Sequence, residues 1–234
     1  MVDFDSFQLV ASTASLDEEP LARETADLLE FRMDMASTPL EALDDYDGAL
    51  DLLVTNRPEW EGGERPEGAD RREELLEALS NPAVAAVDVE LRALEYPKAK
   101  VDLMPVVEAA EGDDVPVVVS IHDFERTPSR STLVDFVHRG CQYGQLSKLA
   151  TTAESVEDVL GLLQVTADMS REGRTVASMA MGQAGAHSRA VAPLYGSKLT
   201  YAPVDPNNAT APGQFDLDTL AALLEAFGVP DGGI

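Results

Sequence analysis

The sequence predicts an eightfold β/α barrel. Three observations carry that expectation: eight apolar runs of strand length recur along the 234 residues, amphipathic stretches of helical length separate them, and charged residues recur at alternate positions on one face of several runs. A doubly wound open sheet rarely needs so regular a count. With 44% hydrophobic residues and no long polar linker, the chain supports one domain over residues 1–234.

The runs are FQLVAS (7–12), LLEFRMD (28–34), LDLLVTNR (50–57), AAVDVELR (85–92), PVVVSIHDF (116–124), QLSKLATT (145–152), RTVASMAM (174–181) and KLTYAPVD (198–205). Between them lie ADRREELLEALSN, SRSTLVDFVHRGCQYG and SVEDVLGLLQVTADMSREG, which open with Ser or Asp near a cap position. After the eighth run, DLDTLAALLEAFG reads as a final amphipathic helix ended by Gly228.

In a barrel, successive side chains alternate between interior and surrounding helices, and catalytic residues gather at the C-terminal strand ends. In the second run Leu29, Phe31 and Met33 share one face, and Glu30, Arg32 and Asp34 the other. The fourth run repeats this with Asp88, Glu90 and Arg92, the third ends on Thr55 and Arg57, and the fifth sets Ser120 and His122 on one face. Charges from several strands converging on one side point to a polar cavity.

Lys148 is placed mid-strand in the sixth run, between Leu146 and Leu149, in a chain with four lysines against thirteen arginines. Burial disfavours an ammonium and can free the amine to attack a carbonyl. A structural ion pair, or snorkelling to a strand end, accounts for the position equally well. Among the three histidines, His122 closes a strand and suits proton transfer, His138 sits in a charged helical segment, and His187 lies in a loop leading into a helix. Three scattered histidines and the single Cys141 offer no metal-ligand spacing, and no Gly-rich phosphate loop or serine-nucleophile motif occurs. Cys141 has no internal disulfide partner and reads as a passive thiol.

The formal net charge of −26, from 43 acidic and 17 basic residues, is spread along the whole chain. Such a surface repels nucleic acid and anionic membranes, and its self-repulsion is screened when the Debye length shrinks to about 3 Å near 1 M salt. Adaptation to a salt-rich cytoplasm follows, and the scarcity of lysine fits it. No apolar run approaches the roughly 20 residues that span a bilayer, and the acidic start MVDFDSFQLV lacks the basic opening of a signal peptide, so the expected location is cytoplasmic.

The segments LLEFRMD, VTNRPEWEGGE, VVVSIHDFERTPS, LSKLATT, MAMGQAGAHSRAVAPLYGS and TAPGQF, in that order, resemble type I 3-dehydroquinate dehydratase over nearly the whole chain. SIHDFERTPS and APGQF are the specific signals. The resemblance implies a barrel of the shikimate pathway without metal or other cofactor, usually dimeric, so that a homodimer is possible. It implies conversion of the small molecule 3-dehydroquinate to 3-dehydroshikimate and water through an imine. Carried over residue by residue, it makes Lys148 the Schiff-base lysine, His122 the general acid and base, and Glu61 the carboxylate that orients the histidine. Glu30, Arg32, Arg57 and Arg189 match substrate-anchoring positions; Thr210 and Gln214 fall on a covering loop, Ser12 is a hydroxyl contact, and Met179 and Met181 line an apolar wall. Two departures stand out: Thr210 replaces the usual serine, and GQAGAH differs from the usual run, which brings His187 into question as an intruder on the site. Two other readings stay open. A class I aldolase acting on a sugar phosphate would need a phosphate cradle near the seventh and eighth runs, and a non-catalytic ligand-binding barrel would keep the cavity without the chemistry.

If acidic self-repulsion governs stability, the thermal unfolding midpoint rises steadily between about 0.1 M and about 2 M KCl. A midpoint independent of salt would remove the halophilic reading.

Overall fold

The computed structural model describes residues 2–95, 101–205 and 214–229. Eight parallel strands run through them: β1 (Gln8–Thr13), β2 (Leu28–Arg32), β3 (Leu52–Thr55), β4 (Val84–Glu90), β5 (Val117–Asp123), β6 (Leu146–Thr152), β7 (Val176–Met181) and β8 (Leu199–Pro203). Their order is β7-β6-β5-β4-β3-β2-β1-β8. The ring closes between the outer two by one parallel bridge, Val176 to Ser197, where the Lys198 N–H donates to the Val176 carbonyl at 2.8 Å. Helices follow the strands and cover the outside, as the alternation of strand and helix in a parallel barrel requires.

Each strand overlaps its predicted run, and two ends differ in a way that matters. After Arg32 the chain turns into a short 3-10 segment, Met33–Met35, so Asp34 leaves the strand face and folds back onto Arg32. After Glu90 the chain becomes the helix Leu91–Glu95, because Leu91, Ala93 and Leu94 bury their side chains at helical spacing. Arg92 is therefore exposed, its guanidinium 4.9 Å from the Trp60 ring centroid, instead of sharing the face of Asp88 and Glu90.

Alternate side chains of each strand point inward. At the N-terminal end Val10, Leu28, Leu53, Ala86, Val118, Leu146, Ala177 and Leu199 pack with Phe4 into a dry layer. Two residues further along each strand the interior turns polar, with Ser12, Glu30, Thr55, Asp88, Ser120 and Lys148 all buried. The intervening residues, such as Leu29, Phe31, Val54, Val89 and Val119, pack outward against the helices. Burial on both faces is why the runs read as nearly continuous apolar sequence. The longest helix, Val156–Arg171, is started by a reciprocal cap: Ser155 Oγ accepts from the Asp158 N–H at 3.3 Å and the Asp158 carboxylate accepts from the Ser155 N–H at 3.0 Å. No described helix is long and apolar enough to cross a membrane.

Truncating Phe31 to Ala removes a fully buried ring from the strand–helix layer and should destabilise by about 3–5 kcal/mol. Ser155→Ala loses only a cap and should destabilise by about 1 kcal/mol. Urea unfolding in molar KCl checks the order; equal losses would contradict this assignment of the core.

Candidate active site

A cavity of about 580 Å³, counting its open mouth, lies at the C-terminal ends of the strands. Ser12, Glu30, Arg32, Arg57, Glu61, His122, Lys148, Met179, Met181, Arg189 and Gln214 all line it, drawn from segments spread across the chain. Thr210 lies outside the described residues. His187 is exposed and does not line the cavity, and His138 sits on the helix Arg130–Gly140, 3.5 Å from Glu172.

Lys148 is 4% exposed, and its ammonium is paired: Nζ donates to Asp88 Oδ2 at 2.5 Å and stands 4.8 Å from the Tyr201 ring centroid. The two readings of this lysine from sequence thus meet at one position, a buried ion pair facing a cavity. Asp88 Oδ1 accepts from Arg57 Nη2 at 2.8 Å and from Ser120 Oγ at 2.7 Å. Burial alone would raise this carboxyl, but the charges of Arg57 and Lys148 outweigh it and hold Asp88 well below the usual carboxylate range. Arg57 Nη1 also donates to Glu90 Oε1 at 2.9 Å, and Glu90 Oε2 accepts from Arg71 Nη1 at 2.9 Å. Arg71 reaches in from the helix Ala69–Ala78. Lys148, Asp88, Arg57, Glu90 and Arg71 therefore form a buried row of alternating charge.

Across the cavity, His122 Nδ1 lies 3.0 Å from Glu61 Oε1, which also accepts the His122 backbone N–H at 3.1 Å. Glu61 belongs to the 3-10 turn Glu59–Glu61, closed by Gly62 at φ +79. The glycine is required twice over, since a Cβ there would also come within 2.3 Å of the Phe124 ring. Phe124 in turn stacks on His122, with centroids 5.8 Å apart. Burial pushes the Glu61 carboxyl up to about 8, and it pushes His122 well below its usual value, reinforced by the charges of Arg57 and Lys148. Through neutral pH the carboxyl of Glu61 therefore keeps its proton while the His122 ring is neutral.

Glu30 accepts from Ser12 Oγ at 2.6 Å and from Thr55 Oγ1 at 2.8 Å. Arg32 is held by Asp34 through two hydrogen bonds of 2.9 and 2.7 Å, which leave its other N–H groups for a ligand. Arg189 differs from the other cavity arginines. It is 1% exposed, its Nη1 meets only the Met179 sulfur at 3.6 Å, its Nε has no partner, and no described carboxylate neutralises it. Burial lowers its guanidinium to about 10. The short helix Ser188–Val191 that carries it is tied to β7 and β8, with Ser188 Oγ accepting the Ala180 N–H and Thr200 Oγ1 donating to the Arg189 carbonyl, both at 2.8 Å. A buried cation beside an apolar wall and short of a counter-charge is a seat for an anion.

Sequence reading missed Tyr201 and Phe124 as cavity residues and gave Asp88 no partner. Alternation along the eighth run from Leu199 would have found Tyr201, and Phe124 follows His122 at the same spacing. Nothing local marks the pairing of Lys148 with Asp88, 60 residues away in the chain.

A family model described as Type I 3-dehydroquinase matches residues 10–231. The chain is 53% identical to the 3-dehydroquinate dehydratase of Haloarcula marismortui over 95% of its own length and 97% of the relative's. It is 48% identical to that of Halobacterium salinarum, covering 95% and 98%. Both organisms are halophilic archaea, in keeping with the acidic composition. Among solved structures it resembles the 3-dehydroquinate dehydratase of Geobacillus kaustophilus, with a TM-score of 0.84, 29% identity and coverage of 94% of this chain and 91% of that one. With the barrel, the cavity and these likenesses together, the chain belongs to the type I 3-dehydroquinase family.

Proposed function

We propose that this protein dehydrates 3-dehydroquinate to 3-dehydroshikimate and water through an imine on Lys148, as a cytoplasmic step of the shikimate pathway. The observation that carries the reading is the meeting, in one cavity, of a buried lysine, a hydrogen-bonded histidine–carboxylate pair, and an arginine short of a described counter-charge. Arg189 takes the substrate carboxylate, with Gln214, while Glu30, Ser12, Arg32 and Arg57 meet its hydroxyls. Met179 and Met181 pack against the carbon ring.

His122, kept neutral by burial and nearby cations, accepts the proton that Lys148 must lose before it attacks. The amine adds to the ketone carbon, and the carbinolamine loses its hydroxyl as water with a proton from His122, leaving an iminium. His122 then takes a proton from the adjacent carbon; the C–H electron pair becomes a carbon–carbon double bond and the iminium π pair passes to nitrogen, giving an enamine. Return of that pair expels the tertiary hydroxyl, protonated by His122, as water. A second water hydrolyses the conjugated iminium and frees product and lysine, so that one water is lost overall. Glu61 holds His122 in register by accepting both its backbone and ring hydrogen bonds. Asp88 and Arg57 hold the lysine stem at the floor of the cavity.

Borohydride added with 3-dehydroquinate in molar KCl should trap an adduct that peptide mapping confines to Lys148. In Lys148→Ala the adduct is absent and kcat falls by at least about 10³-fold. If the folded wild type stays unmodified, the imine is wrong, and calorimetric binding of 3-dehydroquinate would then favour a non-catalytic barrel.

Because kcat/KM reports the free enzyme, it should climb with pH as the His122–Glu61 pair loses its proton near pH 8. Glu61→Gln should abolish that limb and lower kcat/KM by about 10- to 100-fold. An unchanged pH profile in the variant would rule out Glu61 as the titrating partner. The same proton makes a stability prediction with a definite sign. Folded protein retains it between the ordinary histidine range and about 8 while unfolded chains do not, so this pair's contribution to stability falls as pH rises through that window.

A further inference from the structure

The hydroxyl of Tyr201 has no hydrogen-bond partner among the described residues, although the residue is 4% exposed. Its ring stands beneath the Lys148 ammonium, and it lines the same cavity as Glu30 and Ser12. Burial, helped by the Glu30 and Asp88 carboxylates, pushes the phenol well above its usual value, so it stays a donor across the neutral range. A buried donor left unpaired destabilises the empty protein, and phenylalanine would fill the same space without that penalty. Lys148 is equally buried, at 4% exposure, and both residues line the cavity that a ligand reaching Nζ would occupy.

We propose that Tyr201 is a specificity-determining residue that donates its O–H to the substrate hydroxyl on the carbon beside the ketone. This rests on Lys148 being the imine-forming lysine. Bonding the ketone carbon to an amine that lies over the Tyr201 ring brings the neighbouring hydroxyl to the end of the cavity where Tyr201 and Glu30 meet. There the substrate hydroxyl donates to the Glu30 carboxylate, which can only accept, and accepts from the phenol, which is free to donate. Sites that pair a substrate hydroxyl in this way reject the analogue lacking it far more strongly than apolar pockets reject an added group.

The test compares wild type and Tyr201→Phe in molar KCl, using 3-dehydroquinate and its analogue without the hydroxyl beside the ketone. Wild type must first turn over 3-dehydroquinate and yield the borohydride adduct at Lys148; failure there removes the imine reading itself and leaves no basis for this role. With that in hand, Tyr201→Phe should unfold at the same or a higher temperature. Its kcat/KM for 3-dehydroquinate should fall about 10- to 100-fold, while that for the deoxy analogue stays within about two-fold, so that the wild-type preference collapses. An equal loss on both substrates, which is what a packing role produces, would overturn the proposal. So would unchanged kinetics on both, whether the unfolding temperature holds or drops.

Discussion

The buried pairing of Lys148 with Asp88 is the constraint on which the rest of the interior depends. A parallel barrel buries both faces of its strands, so a charge that points inward has no water to fall back on. Lys148 requires Asp88, and Asp88 shares the face of β4 with Glu90, so a second carboxylate lies two residues further along. Two carboxylates buried side by side require cations between and behind them, and Arg57 and Arg71 occupy those places. Removing one partner from such a set typically costs about 3–5 kcal/mol, because the remainder is left as an uncompensated buried charge. The row is therefore a set of mutual requirements and not five separate salt bridges.

Against that charge-paired row, the groups short of a counter-charge or partner stand out. Arg189 has a guanidinium with no described anionic partner, and the Tyr201 hydroxyl has no hydrogen-bond partner among the described residues. His122 and Glu61 stand 3.0 Å apart, and burial has pushed them in opposite directions. These groups ring one cavity, above a layer of apolar side chains that leaves nothing unpaired. The barrel thus separates its tasks along its axis: dispersion and burial at the N-terminal end hold the ring together, and electrostatic tension is kept at the C-terminal end. The acidic exterior is a third, independent layer that answers to the solvent and touches neither.

Most of the fold was legible because it rests on periodicity. Each apolar run became a strand, and the alternation of Glu30 with Arg32, and of Asp88 with Glu90, correctly marked the inward face. The alternation failed at Asp34 and Arg92, where the chain leaves the strand for a turn or a helix, since a period of two has meaning only while the backbone is extended. Lys148 was identifiable from its apolar neighbours, whereas its reactivity was not: an isolated amine was one expectation, and the folded chain supplies a carboxylate from β4.

By itself, then, the sequence determined the count and order of the elements, the faces they bury, the acidic surface and, through its motifs, the family. Those properties are local or compositional, set by neighbours two to four positions away or by totals over the chain. Tertiary structure alone decided who partners whom: Asp88 with Lys148, Glu61 with His122, Phe124 over Gly62, and, among the described residues, Arg189 left without a counter-charge and the Tyr201 hydroxyl without a hydrogen bond. Ring closure brings residues 60 or more positions apart into hydrogen-bond range, and the strength of a charge or a donor there depends on that company and on the exclusion of water.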